Sequence, residues 1–248
     1  MMEAYTGFAS VYDKYMDDIP YDTWADNIKL FFDKYNMPMD IVCDLGCGTG
    51  QVTRRLKHMG YDMIGIDMSY DMLMEAMSDE DSDGILYLCQ DMRQFELYGT
   101  VGAIVSICDS MNYLRDTNEL GQVCSLANNY LDPGGLFIFD LKTIHYFSGL
   151  GTEIMAANSD TGSYIWENDY DSDTRDNSYY LTIYEQSEDG LYERFEEEHL
   201  QHGFTIDEVE AAIRNSGLDL LEILDADTME QPTDCSDRLY FIAREVTK

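Results

Sequence analysis

Basic residues are scarce in this chain. Its 248 residues include 15 Lys and Arg against 49 Asp and Glu, a formal net charge of −34. Such a surface repels phosphate backbones, and nucleic-acid binding needs a basic footprint. The densest basic stretch, TRRLKH (Thr53–His58), has helical spacing and is expected to be a solvated face. A nucleic-acid partner is therefore not expected. Long apolar runs are also missing, and none could cross a bilayer. The N-terminal MMEAYTGFASVYDKY lacks the basic start and apolar middle of a secretory signal. The expectation is a cytoplasmic protein with no membrane partner. Cysteine occurs six times, at positions 43, 47, 89, 108, 124 and 235, with no Cys-x-x-Cys pair. Cys43 and Cys47 stand too far from other soft ligands to suggest zinc, so no metal is expected. Reduced thiols suit the cytoplasm.

What is present is an alternation of strand and helix signals. Hydrophobic residues make up 45% of the chain, enough for a sizeable core. IVCDL (Ile41–Leu45), MIGID (Met63–Asp67), ILYLC (Ile85–Cys89), VGAIVSI (Val101–Ile107) and LFIFDL (Leu136–Leu141) read as five strands. They do not alternate apolar with polar, as expected for strands covered on both faces of a parallel sheet. Helical periodicity lies between them. Val52, Leu56 and Met59 share one face before Gly60. Met72, Leu73, Ala76 and Met77 follow a possible cap at Ser69. Leu120, Val123, Cys124, Ala127 and Leu131 precede a stop at DPGG (Asp132–Gly135).

The pattern changes after about residue 150. SYIWENDYD, NSYYLTIYEQ and LYERFEEEHLQH read as antiparallel strands joined by SDTRD and SEDG. Thr205 and Glu208 then form a capping box for a helix ending at Gly217, and LDLLEIL and RLYFIARE are two last strands. The expected architecture is one α/β, doubly wound domain over residues 1–248, with an antiparallel β insert over residues 151–203 after the fifth strand.

In such a sheet, ligands sit beyond the carboxyl ends of the strands at the switch point, where DLGCGTG (Asp44–Gly50) leaves the first strand. Gly46, Gly48 and Gly50 let the backbone turn tightly and approach a ligand, and Thr49 is placed to cap the next helix. The dinucleotide fingerprint is G-x-G-x-x-G, with its pyrophosphate on a helix N-terminus. Here the spacing is G-x-G-x-G, and Asp44 precedes the first glycine by two positions. A carboxylate there faces a pyrophosphate badly and suits an ammonium group. Asp67, ending the second strand, is the usual acceptor for ribose hydroxyls; NAD sites use the same acid, so it does not discriminate.

With these motifs in order, the chain resembles the class I S-adenosylmethionine-dependent methyltransferases. VCDLGCGTG is similar to that family's first motif, IGIDMS to its second and CQDMR to its third. ICDSMNYL resembles the segment after the fourth strand, and LDPGGLFIFD the segment into the fifth. The closest likeness is to small bacterial members with an inserted antiparallel sheet. The resemblance implies a Rossmann-like, seven-stranded, mostly parallel sheet and S-adenosylmethionine as cofactor. It places the turn Gly46, Cys47, Gly48, Thr49, Gly50 against the methionine moiety and ribose, with Asp44 near the amino group. It puts Asp67 on the ribose hydroxyls, Met68 on one face of adenine, and Gln90, Asp91 and Met92 around the adenine edge. The backbone at Cys108 faces the methionine end. YTGFASVYD resembles a segment that folds over the cofactor, which nominates Tyr5 and Tyr12. Met68, Met92 and the two tyrosines have a plainer reading as packing residues.

The expected reaction moves a methyl group to a small-molecule acceptor by in-line displacement. Orientation supplies much of the rate, roughly 7–11 kcal/mol, so a base is optional and the catalytic residues stay unassigned. Candidates are Asp109, Asn112 and Tyr113 after the fourth strand, Lys142, Thr143 and His145 after the fifth, and Trp166, His199 and His202 in the insert; Tyr113, His145 and His199 lead as proton-transfer groups. Trp166 reads more simply as insert core, and FEEEH (Phe195–His199) as a solvated face. CDSMNY differs from the [DN]PP[YF] of enzymes that methylate amino groups of DNA bases. The alternatives are a module that binds S-adenosylmethionine for regulation without turnover, and an NAD-dependent oxidoreductase. The acceptor, the methylated atom and the oligomeric state are left open.

Overall fold

The computed structural model describes residues 19–37, 40–158, 162–187 and 189–248. The apolar runs become β1 (Ile41–Leu45), β2 (Asp62–Asp67), β3 (Leu86–Cys89), β4 (Val101–Ser106) and β5 (Leu131–Lys142), paired in parallel. With β10 (Leu218–Asp225) and β11 (Arg238–Glu245) they form a seven-stranded sheet in the order β10-β11-β5-β4-β1-β2-β3. β11 lies antiparallel to both neighbours, β10 and β5. β4 explains why the central strands carry no polar alternation. Its Ile104 joins a core with helices α4 (Thr117–Tyr130) and α6 (Ile206–Asn215), through Val123, Ala127, Val209 and Ile213. Ala103 and Val105 face the other way, into a core with α1 (Tyr21–Lys34) and α2 (Gln51–His58), through Ile28, Phe32, Val52 and Leu56. Apolar side chains are buried on both faces, so period-two patterning disappears.

Caps behave as their chemistry demands. Ser69 Oγ accepts from Met72 N at the start of α3 (Tyr70–Ser78), and Thr205 and Glu208 bond reciprocally at the start of α6. Several expectations are corrected. Gly50, at φ 78°, occupies the N-cap of α2 with no side-chain cap bond, so Thr49 does not cap it. Met77 is exposed, while Met72, Leu73 and Ala76 are buried. DPGG does not separate helix from strand. β5 already begins at Leu131 and passes through Asp132–Gly135 as an irregularity opposite β4, where a Cβ on Gly135 would stand 2.9 Å from Gly102 O. Arg54 is buried, so Thr53–His58 is only partly a solvated face. α1 and α5 (Ile144–Leu150) had no counterpart in the periodicity reading.

The insert is a separate antiparallel sheet, β6 (Ile154–Asn158), β7 (Gly162–Asp171), β8 (Asp176–Gln186) and β9 (Tyr192–His202), in that order. β6 escaped the sequence reading because every residue in it is exposed, so burial leaves no alternation to detect. On the other strands, inward positions recur every second residue: Trp166 and Asn168, then Asn177, Tyr179, Leu181 and Ile183, then Glu197, His199 and Gln201. Leu181 and Ile183 form a small apolar cluster with Tyr164, Trp166 and Phe195, so Trp166 is insert core. Glu197 is 5% exposed, which corrects the reading of FEEEH as a solvated face.

Candidate active site

The turn after β1 is built on left-handed backbone. Gly46, Gly48 and Gly50 have φ of 74°, 53° and 78°, a region that L side chains adopt at a cost of roughly 1–2 kcal/mol. Gly46 N and Cys47 N both donate to Ile66 O, at 2.7 and 3.0 Å, which pins the turn across the end of β2. The three glycines answer different demands. A Cβ on Gly46 would lie 2.7 Å from the Ser110 side chain, and one on Gly50 would lie 2.5 Å from the Tyr87 hydroxyl. Among the described residues a Cβ on Gly48 would meet nothing within 4 Å, so there the chain presents bare backbone. Arg54 steadies the turn from behind: Nη1 donates to Thr49 O at 2.6 Å while Nε pairs with Asp79 at 3.2 Å.

Two carboxylates flank this turn. Asp67 accepts from Gly48 N and from Ser69 N, each at 2.8 Å. Asp44 is buried and accepts from Thr53 Oγ1 at 2.6 Å. Burial pushes its carboxyl up to about 7, the Thr53 bond opposes that, and the neighbouring Asp67 charge adds to it. Burial also raises Asp67, against the backbone bonds from Ser69 and Gly48. The Arg54 guanidinium at the back of the turn is engaged by Thr49 O and Asp79. Bare backbone with two acids fits a cationic adenosyl compound and fits a diphosphate badly.

Beyond β2, Met68 is 67% exposed, too open for a core filler. Met92 packs against the core, its Cε 3.3 Å from the position a Gly46 Cβ would take. Asp91 is held by both Nε and Nη2 of Arg93, and Arg93 Nη1 reaches Glu119 at 2.9 Å. Burial raises the Asp91 carboxyl, but the Arg93 bonds outweigh it and hold it below the usual range. The Gln90 side chain turns away: Nε2 donates to Glu96 O, and Oε1 accepts from Glu96 N at 2.7 Å. Only its backbone faces β2, donating to Asp67 O at 2.9 Å.

The segment after β4 is strained. Cys108 and Asp109 both take left-handed φ, 68° and 54°, without being glycine, and such residues cluster at functional sites. Ser110 Oγ donates to Gly46 O at 3.2 Å, and a 3₁₀ turn follows at Ser110–Tyr113. Burial pushes the Cys108 thiol up to about 12, which removes it as a thiolate nucleophile.

A family profile described as "Methyltransferase domain" matches residues 42–135, a stretch that runs from the glycine turn through Asp67 and Asp91 to the segment after β4. A putative methyltransferase of Bacillus subtilis (strain 168), YqeM, is 33% identical over 244 residues, 97% of each chain. A solved S-adenosylmethionine-dependent methyltransferase from Clostridium acetobutylicum ATCC 824 superposes with a TM-score of 0.87 at 28% identity, covering 98% of this chain and 99% of its own. The chain belongs to the class I S-adenosylmethionine-dependent methyltransferases. A third relative, dTDP-3-amino-3,4,6-trideoxy-alpha-D-glucopyranose N,N-dimethyltransferase of Streptomyces venezuelae, is 34% identical over 97 residues, 39% of this chain and 40% of its own. S-Adenosylmethionine is thus the methyl donor, and the turn just described has the chemistry to hold it.

In the methyltransferase, the insert's inner face lies against the post-β4 segment. Asp109 is the hub. Its Oδ1 accepts from Arg238 Nη2 at 2.7 Å, and its Oδ2 accepts from Gln201 Nε2 at 2.7 Å and faces Lys142 Nζ at 3.1 Å. Its backbone N donates to Asp140 Oδ1 at 2.9 Å, and Arg238 Nη1 also pairs with Asp140. Burial would raise the Asp109 carboxyl, but Lys142 and Arg238 outweigh it and hold the group ionised below the usual range. The Tyr113 hydroxyl lies 3.3 Å from His199 Nδ1, the two rings edge to face. Burial pushes His199 down to about 4, so it is neutral at pH 7. Asn112 donates from Nδ2 to His202 O and Lys142 O, and accepts from Lys142 N.

The structure thus gathers Asp109, Asn112, Tyr113, Lys142, His199 and the backbone of His202, and leaves His145 aside. That histidine is half exposed and paired with Asp237 at 3.0 Å. Thr143 caps α5 by accepting from Tyr146 N. Tyr5 and Tyr12 lie outside the described residues. Sequence reasoning missed Thr53, Arg54, Tyr87, Ser110, Gln201 and Arg238. Only Ser110 stood within a motif; Thr53 and Arg54 bond to Asp44 and Thr49 over 9 and 5 positions, and Tyr87, Gln201 and Arg238 are brought in by pairings across the fold. Among the described residues, no group of three or more His, Cys, Asp or Glu side chains could hold a metal ion, and no helix is long and apolar enough to cross a membrane.

Proposed function

We propose that this methyltransferase, a single domain with a β insert over residues 151–203, transfers the methyl group to a small polar molecule in the cytoplasm. The acceptor sits between the post-β4 segment and the insert's inner face. The donor is held by the Gly46–Gly50 turn, with Asp44 toward its amino group, Asp67 on the ribose and Met68, Asp91 and Met92 around adenine. The segment at Cys108 faces the methionine end. S-Adenosylmethionine supplies a methyl group already activated on a sulfonium sulfur.

His199 is proposed as the group that takes the acceptor's proton. The observation that carries this is a buried, neutral imidazole against the Tyr113 hydroxyl, on the insert side of the segment whose Ser110 touches the glycine turn. A small acceptor is supported by the Streptomyces venezuelae relative, whose name gives an amino sugar nucleotide as substrate. It is also supported by the net charge of −34, which opposes a nucleic-acid acceptor.

Two experiments test the reading. In a thermal-shift assay S-adenosylhomocysteine raises the melting temperature and NAD does not. With radiolabelled methyl donor, a metabolite extract yields a labelled product with the wild type and none with Asp67→Ala. Undiminished labelling by a chain lacking Ala156–Leu200 would remove the insert from the acceptor site, and thermal stabilisation with no labelled product from any extract would favour a regulatory module.

A further inference from the structure

Three contacts between β9 and the post-β4 segment form one seam. Gln201 Nε2 donates to Asp109 Oδ2 at 2.7 Å, the His202 carbonyl accepts from Asn112 Nδ2 at 2.9 Å, and His199 Nδ1 lies 3.3 Å from the Tyr113 hydroxyl. On its other side the same segment touches the glycine turn through Ser110 Oγ, 3.2 Å from Gly46 O. Asp109 stands where these lines meet. It is 7% exposed and adopts a left-handed φ of 54°, next to Cys108 at 68°. A non-glycine pair keeps such backbone angles only when its surroundings over-determine them. Arg238 and Lys142 from the main sheet do so by ion pairing, and Gln201 from the insert by a charge-assisted hydrogen bond. Gln201 is itself 2% exposed, and among the described residues its Oε1 has no hydrogen-bond partner. Its one bond is spent on holding Asp109.

We propose that Asp109 is a positioning residue for methyl transfer, and that Gln201 makes its posture depend on the insert. The proposal rests on the donor placement given above. Asp109 touches neither reactant; it sets the Cys108–Asp109 backbone that faces the donor's methionine end. When the insert is seated, Gln201 completes the clamp and that backbone is ready. When the insert lifts, Asp109 loses a donor and the methionine end loses its frame. Donor and acceptor sites are thereby coupled through side chains that contact neither ligand, and each ligand strengthens binding of the other by the same factor.

The test separates the two ends of the donor product. Calorimetry compares S-adenosylhomocysteine with 5′-methylthioadenosine, which lacks the amino-acid portion, on the wild type, Gln201→Met and Gln201→Glu. Gln201→Met keeps the side-chain volume and removes the N–H, and it is expected to weaken S-adenosylhomocysteine about tenfold while leaving 5′-methylthioadenosine unchanged. Gln201→Glu sets a carboxylate against Asp109 and is expected to weaken S-adenosylhomocysteine further. Equal losses for both ligands, or none for either, overturn the proposal. A wild type that binds neither ligand sinks the donor reading first, and this proposal with it. Should both variants fail to fold, hydrogen exchange on the wild type decides. S-Adenosylhomocysteine is expected to slow exchange at the amides of residues 107–113 and of residues 199–202 in β9; protection confined to the glycine turn and residues 67–69 overturns the coupling.

Discussion

The donor side and the insert side of this enzyme are made of different materials. Around β1 and β2 the structure is largely main chain: three glycines, a row of amides and carbonyls, and two carboxylates, Asp44 and Asp67, the second tied to two of those amides. Around β9 the structure is side chain: the Tyr113–His199 pair, and the clamp of Gln201, Lys142 and Arg238 on Asp109, drawn from β9, β11, the end of β5 and the segment after β4. Main chain serves a donor that is the same for every member of the family. Side chains can be exchanged one at a time without rebuilding a turn, and they suit the reactant that differs from enzyme to enzyme.

The two sides should respond oppositely to substitution. The largest expected effect is at His199. Replacing it with Phe should lower turnover about a thousandfold, within the range for general acid–base groups, while calorimetry with S-adenosylhomocysteine finds the wild-type affinity. A variant with full turnover removes the proton-accepting role. On the other side, Asp67→Ala should weaken S-adenosylhomocysteine by at least about a hundredfold, since it removes charge-assisted hydrogen bonds of roughly 1.5–3 kcal/mol each. An affinity within threefold of wild type would erase that assignment.

Within the turn, the glycines can be set against one another. Gly46→Ala meets Ser110 and adopts an unfavourable φ, so chemical denaturation should show a loss of about 2–3 kcal/mol. Gly48→Ala meets no atom of the described residues and should lose only about 1 kcal/mol, yet on the proposed donor placement S-adenosylhomocysteine binding should fall sharply. Equal stability losses would mean that Gly48 serves the fold and not the ligand.

Protons divide the sides as well. Asp44 has a folded pKa of about 7, above its ordinary 3.8, so its contribution to stability is fully present below pH 4 and is lost as pH rises through 7. His199 is depressed to about 4 from 6.5, so its contribution is present above pH 6.5 and is lost as pH falls through 4. An ammonium beside Asp44 favours the ionised acid. S-Adenosylhomocysteine affinity should therefore rise about tenfold between pH 6 and pH 8, and Asp44→Asn should flatten that profile. The smallest effect belongs to neither side: Thr205→Ala removes half of a capping box and should cost about 1 kcal/mol, a fall in melting temperature of roughly 2–4 °C, with ligand affinity untouched.

How much of this was legible in the chain follows from the same division. The glycine turn, Asp67 and the Ser69 and Thr205 caps are local devices, and local devices leave local signatures. Arg54 shows the limit. Its neighbours read as a charged helix face, but the helix turns that position under the glycine turn, where its Nη1 meets Thr49 O and its Nε meets Asp79. His145 fails in the opposite sense: a histidine just past a strand end looks catalytic, yet its strand end directs it to Asp237 and solvent. Gln201 carries no signature, because its role depends on the register that sets β9 beside β8 and over Asp109.

From composition, periodicity and motif order alone, the chain specifies an α/β sheet buried on both faces, a tight glycine turn after the first strand, and an antiparallel insert after the fifth strand. Those features need only the chemistry of neighbouring residues, where a φ angle, an apolar period or a cap decides the outcome. Only the folded sheet decides that Asp109 meets Arg238 from 129 positions away and Gln201 from 92. Pairings of that range depend on strand order and register, which are set by burial summed over the whole molecule and not by any stretch of it.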